Sequence, residues 1–336
     1  MCGDIDGIDV HAHGVPPQFM EAVKKSGLGG VKVEGGNGSY TVTFPGAEPL
    51  RPVTGVMVDF KERLNWMDGQ GMRQQLIAPW LDVHGQELPA ADGQEWVRQL
   101  NDAMAEQVSG SGGRLLAYAT LHLADAKAAA RELERCASKL KLTGSMLPTF
   151  FPQGEIHDAR YDAVWEAAQA LDIPLVLHPT TDSPSACMFE ATPKFKGLYG
   201  RTMDTTVAAT QLIMNGVFDR FPKLRLVLVH GGGFLPYQSG RVDREFKGPT
   251  GQSFTEYVQR FYYDTCLMTK HSLRMLFDLV GTGQVMIGSD YAATSVERKS
   301  VKLTAALDAA GVDAAARKKV VHETAHSIFR TGNPGK

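Results

Sequence analysis

The chain has 336 residues, 43% of them hydrophobic and 21% charged, with 35 Lys and Arg against 37 Asp and Glu for a formal charge of −2. That balance supports a sizeable core and excludes global disorder, a basic nucleic-acid face and a polybasic membrane patch, which leaves a small molecule as the default partner. The four cysteines (Cys2, Cys136, Cys187, Cys266) form no CxxC pair and suit a reducing cytoplasm, while the acidic start MCGDIDGIDVHAH lacks the basic head and apolar run of an exported or membrane-spanning segment.

Along the chain, short apolar runs recur and most are separated by stretches of helical periodicity, the alternation of parallel βα units. The first run, 7–13 (GIDVHAH), ends on His11 and His13. Residues 31–44 (VKVEGGNGSYTVTF) then read as a β-hairpin, because alternating residues flank a turn of residues that tolerate positive φ. Helical patterns at 61–71, 95–108, 125–140 and 158–172 alternate with the runs 74–80 (QQLIAPW), 115–123 (LLAYATLHL), 142–150 (LTGSMLPTF) and 173–179 (IPLVLHP), the last carrying His178. An irregular segment at about 180–203 contains Pro184 and Pro193, and a further helical pattern covers 204–221. The remaining runs are 224–232 (LRLVLVHGG) with His230, 261–267 (FYYDTCL), and 284–290 (QVMIGSD) ending on Asp290. Eight such runs predict an α/β fold, a closed (β/α)8 TIM barrel of the metal-dependent hydrolase type formed by residues 1–336 as one domain, with the hairpin as an insertion and 180–203 as an active-site loop.

In such a barrel the reacting groups collect at the carboxyl ends of the strands, where the loops converge. The i, i+2 spacing of His11 and His13 on an extended strand turns both imidazoles to one side. His178, His230 and Asp290 fall at the same ends of other strands and are competent either to bind a metal or to transfer protons. Taken singly, a histidine at a strand end is more often a structural residue. Five such groups on one rim are not explained that way, and imidazole with carboxylate suits zinc or a similar divalent ion.

These residues carry a resemblance. IDVHAH, VLHP, VHGGG with the following GRVD, IGSDY, LRPV (50–53) and the helix ERLNWMDGQGM (62–72) resemble the amidohydrolase-2 branch of the amidohydrolase superfamily, the branch that includes aminocarboxymuconate semialdehyde decarboxylase. The resemblance extends over nearly the whole chain. It implies one metal ion, zinc first and manganese second, held by His11, His13, His178 and Asp290, with no organic cofactor. Asp290 then belongs to the catalytic machinery as well, and His230 activates the metal-bound water and transfers protons. Arg51 of LRPV is implied to grip a substrate carboxylate, and Arg241 of GRVD to be supplied by the other subunit of a homodimer. The implied reaction is non-oxidative decarboxylation of a small unsaturated or aromatic acid, with hydrolysis of an amide or lactone, or hydration of a double bond, as the alternatives on the same site. The segment after His178 lacks the branch's tryptophan, and GSDYA replaces GSDYP, so the chain is a divergent member.

One rival motif lies elsewhere. HETAH (322–326) matches the HExxH of zinc proteases, with Glu323 as base, but it falls on the last outer helix without an obvious third ligand. A catalytically silent binding protein would have lost a ligand position, and here every one is filled.

Overall fold

Each of the eight apolar runs overlaps one strand. In the computed structural model, which describes residues 6–181, 184–293 and 301–332, the barrel strands are β1 (Gly7–Gly14), β5 (Met72–Pro79), β6 (Leu115–Ala119), β7 (Gly144–Pro148), β8 (Leu175–His178), β9 (Leu226–Leu228), β10 (Tyr262–Asp264) and β11 (Val285–Met286). Cys2, with the rest of residues 1–5, falls outside the described residues. The strands neighbour one another in chain order and pair in parallel. Closure comes from the segment after β11, where Val10 N donates to Ile287 O (2.9 Å), Asp290 N donates to His11 O (2.8 Å) and Ala12 bridges Tyr291 in parallel. The sheet therefore has no free edge there, and its last catalytic candidate is stitched to its first.

Alternation along the strands sends Ile8, Val10, Leu76, Tyr118, Met146, Val176, Val227 and Met286 into one buried cluster that also takes in Ile328 and Phe329 of the terminal helix. A larger cluster lies between the sheet and the surrounding helices. The helices carry ordinary stop and start signals: Pro17 opens the helix Pro17–Ser26, Gly27 at φ 63° ends it, and the Asp125 carboxylate accepts from Ala128 N at the start of Ala126–Arg135.

The predicted hairpin forms as β2 (Lys32–Gly36) against β3 (Ser39–Thr43), joined by a third short strand, β4 (Val53–Thr54). Its apolar side docks on the barrel's helical layer, where Phe19 and Phe44 meet Trp96 at ring distances of 4.9 and 5.4 Å. That docking fixes the β3–β4 connection, which carries Arg51, above the barrel mouth. No helix among the described residues is long and apolar enough to cross a membrane.

Candidate metal centre

Strand β1 is not regular where it matters. Asp9 pairs with Gln75 but Ala12 with Ile77, so three steps on β1 answer two on β5, and this bulge lies at His11. Bulges beside active sites re-aim side chains and add twist. Two other residues of the centre are also in unusual conformations, since His230 and Asp290 both have φ 55°, the left-handed region that costs a non-glycine residue energy and is tolerated where surrounding structure enforces it.

The enforcement can be named. Asp9 is fully buried and its carboxylate accepts from His11 N (3.1 Å), Ser289 N (3.0 Å), Ser289 Oγ (2.6 Å) and Gln75 Nε2 (2.7 Å). Gln75 in turn accepts from Arg63 Nη1 (2.8 Å), and Arg63 Nη2 donates to the His13 carbonyl. Burial pushes this enclosed arginine down to about 10. The chain of contacts locks β1 to the turn that presents Asp290.

The imidazoles are anchored from behind. His11 Nδ1 lies 2.6 Å from Asp264 Oδ2, and His178 Nδ1 lies 2.7 Å from the Pro179 carbonyl. A carbonyl oxygen only accepts, so His178 carries its proton on Nδ1 and turns the Nε2 lone pair into the site, the arrangement that orients metal-binding histidines. The Nε2 atoms of His11, His13 and His178 are buried without a hydrogen-bond partner. His11 Nε2 and His13 Nε2 each stand 3.3 Å from Asp290 Oδ1, and His230 Nε2 stands 3.7 Å from Asp290 Oδ2.

Donor atoms of His11, His178, His230 and Asp290 all fall within 4.8 Å of one another. The family resemblance implies His13 in that set and His230 outside it. The structure puts His13 alongside, edge-on to Trp80 at 5.3 Å, with neither ring nitrogen hydrogen-bonded. Converging buried lone pairs beside a carboxylate fit a divalent cation, and the electrostatics agree. Burial opposes charge on His11, yet Asp290 and Asp264 overcome it and push the imidazole up to about 10, which reports a strongly negative site. His13, in contrast, is pushed down to about 4 by burial, and His178 falls well below its usual value for the same reason, reinforced by the neighbouring histidines. Asp290, although burial acts to raise it, is held well below the carboxylate range by His11, His13 and His230.

Near this centre, walled by residues that follow β5 and β8, lies a cleft of about 420 Å³, within the range of small-molecule sites, roughly 300–1,000 Å³. Arg51 lines it, as do Asp82, Phe150, Thr181 and Arg201. Arg241 does not; it lies on the helix Leu235–Val242, exposed to solvent. Two functional candidates escaped the sequence reading. Asp264 ends an otherwise apolar strand, FYYD, and that break was its signal. Arg201 sat inside the irregular segment with nothing to mark it, although the structure makes it the first residue of the helix Arg201–Met214. That helix can approach because Gly233, at φ 63°, has no Cβ, which would fall 2.1 Å from the Thr202 carbonyl oxygen. The HGGG segment is therefore a packing device, as its lack of a phosphate-loop pattern implies.

The HETAH segment offers no second centre. His322 Nδ1 is taken by the Asp6 carbonyl at 2.9 Å, and Glu323 pairs with Lys318 at 2.7 Å on the outer surface.

Residues 8–331 match the family described as amidohydrolase. The chain is 27% identical over 295 residues, 82% of its own length and 88% of the relative's, to a gamma-resorcylate decarboxylase of Polaromonas sp.. It is 24% identical over 294 residues, 84% and 81% of the two chains, to a 2-amino-3-carboxymuconate-6-semialdehyde decarboxylase of Dictyostelium discoideum. The fold is shared with the crystal structure of a dihydroxybenzoic acid decarboxylase from Polaromonas sp. holding manganese and the inhibitor 2-nitroresorcinol, at a TM-score of 0.78, 23% identity and 97% coverage of each chain.

Proposed function

The chain belongs to the amidohydrolase family, and from that premise we propose that it is a metal-dependent, non-oxidative decarboxylase of a small unsaturated or aromatic carboxylic acid. One divalent ion is held by His11, His13, His178 and Asp290. The observation that carries this reading is the set of buried Nε2 lone pairs of His11, His13 and His178 turned towards Asp290. Zinc suits an imidazole-rich set, and the manganese of the Polaromonas structure makes that ion the second candidate. When bound, the ion supplies a Lewis acid at the substrate's acidic group.

The protein's own groups do the rest. Arg51 orients the substrate through a charge-assisted contact. His230, 3.7 Å from Asp290 and the least buried of the four clustered groups, carries the proton. It delivers that proton to the carbon that loses the carboxyl group, while the electron pair of the broken C–C bond stays on that carbon and carbon dioxide departs. The working unit is a homodimer in which Arg241 reaches the cleft of the other subunit beside Arg51. This rests on the GRVD resemblance and on an exposed Arg241 with no ion pair to the described residues of its own chain. The proposed compartment is a reducing cytoplasm, in line with cysteines spaced without a CxxC pair.

The test is incubation of metal-loaded protein with a panel of unsaturated and aromatic carboxylates while carbon dioxide is measured. His230→Ala is expected to keep its metal and to lose turnover by about a hundredfold or more. Near-normal turnover in that variant would remove His230 from the chemistry. Hydrolysis or hydration products without carbon dioxide would replace the decarboxylase by the alternatives.

A further inference from the structure

His11 and His178 are each anchored through Nδ1, but His13 has no such hold. Both of its ring nitrogens are buried without a hydrogen-bond partner, whereas a metal-binding histidine ordinarily has its second nitrogen fixed by a carboxylate, a carbonyl or water. A ring free to turn presents its lone pair in no set direction, so packing must set it.

Strand register supplies the neighbour. His13 of β1 pairs with Ala78 of β5, and the backbone stays extended through Trp80 (φ −58°, ψ 128°). Side chains two residues apart in an extended chain point to one face, so Trp80 falls beside His13. The two rings meet at 5.3 Å between centroids with planes 85° apart, inside the range of favourable edge-to-face pairs, about 4.5–7 Å. The rings of His11 and His178 close two other sides at 5.3 and 4.8 Å.

The indole is itself braced. Its Nε1 donates to Asp82 Oδ2 (2.9 Å), and the same carboxylate accepts from Thr181 N (3.1 Å) and Thr181 Oγ1 (2.6 Å). The threonine hydroxyl has one proton, and Arg201 Nη2, which can only donate, lies 2.6 Å from the same oxygen, so that proton is committed to Asp82. Thr181 comes three residues after His178, and Asp82 thereby ties the end of β5 to the end of β8. Among the described residues the carboxylate makes no bond to the backbone of its own turn, Leu81–Val83. The guanidinium carbons of Arg51 and Arg201, 4.7 and 5.6 Å from the indole centre, steady the ring further.

We propose that Trp80 is the positioning residue of His13 and that Asp82 acts through it: packing against a braced indole does for His13 what a hydrogen bond does for His11 and His178. This rests on the reading of His13 as a ligand, and the two can be told apart.

The experiment is chelator competition for manganese on the full chain, with the visible absorption of the cobalt-loaded protein as a record of ligand geometry. Trp80→Ala should weaken manganese binding by about tenfold or more, the range for losing a group that orients a metal ligand, and should shift the cobalt bands. Trp80→Phe keeps a ring against His13 but loses the bond to Asp82. It should recover most of that affinity and fall about threefold below wild type, the effect of one hydrogen bond. Asp82→Ala should weaken binding by the same factor in the wild type and no further in the Trp80→Phe background, because its influence runs through the indole N–H. Wild-type affinity and an unshifted cobalt spectrum in Trp80→Ala overturn the proposal, and an undiminished Asp82→Ala effect in the Trp80→Phe background removes Asp82 from it. If His13→Ala binds manganese as the wild type does, the ligand assignment fails and takes the proposal with it. If His13→Ala loses the metal while Trp80→Ala keeps it, the proposal alone fails.

Discussion

At the floor of the site His11 and His178 stand on strands and Asp290 on the turn after β11, with relative exposures of 0%, 1% and 3%, whereas Arg51 stands on the β3–β4 connection in solvent and Arg201 on the first turn of a helix, both lining the cleft. The floor is held twice over, by the closed sheet and by carboxylates and carbonyls behind the rings. The wall is held by single contacts, of which the Thr181 hydroxyl is the clearest. A metal centre needs fixed distances, and rigid strands provide them; a substrate wall needs chemistry that can vary, and connections tolerate variation.

The largest effect should come from breaking the floor. His178→Ala is expected to lose bound metal and, with it, activity by about a thousandfold or more. Metal analysis of the purified variant checks this, and an undiminished metal content would take His178 out of the ligand set. Applied to His13→Ala and His230→Ala, the same measurement sorts the two histidines that stand 3.3 and 3.7 Å from Asp290: the first should lose metal and the second should keep it.

The wall is expected to break differently. Arg51→Ala and Arg241→Ala should each be nearly inactive as homodimers but keep their metal. In a mixed dimer one site loses both arginines and the other keeps both, so subunit exchange should restore activity towards half per heterodimer. If mass measurement verifies exchange and no activity returns, Arg241 is not shared across an interface.

The mildest test removes the support and leaves the floor in place. Asp264→Asn keeps the shape of the side chain and a hydrogen bond to His11 while deleting the charge. It should weaken metal affinity by about 10- to 100-fold, read as a shift in a chelator titration. Wild-type affinity in this variant would reduce Asp264 to a packing residue beside Gly288, where an added Cβ would sit 2.7 Å from its own.

Residue spacing by itself determined the eight strands, their order of appearance, the hairpin and the five groups at the barrel rim, because period-two alternation and strand-end placement are local properties that survive in one dimension. His11, His178 and Asp290 could be assigned to one place as soon as the barrel was granted. Only the tertiary structure decided the rest. The contact between His11 and Asp264 joins residues 253 positions apart. The bulge at His11 is a matter of register between two strands, and the left-handed backbone of His230 and Asp290 is imposed by neighbours that the residues themselves do not encode. Arg201 shows the limit most plainly. An arginine in an irregular segment has no periodicity to betray it, and its position depends on a tryptophan, a threonine and a missing Cβ at Gly233 that meet only when the chain has closed on itself.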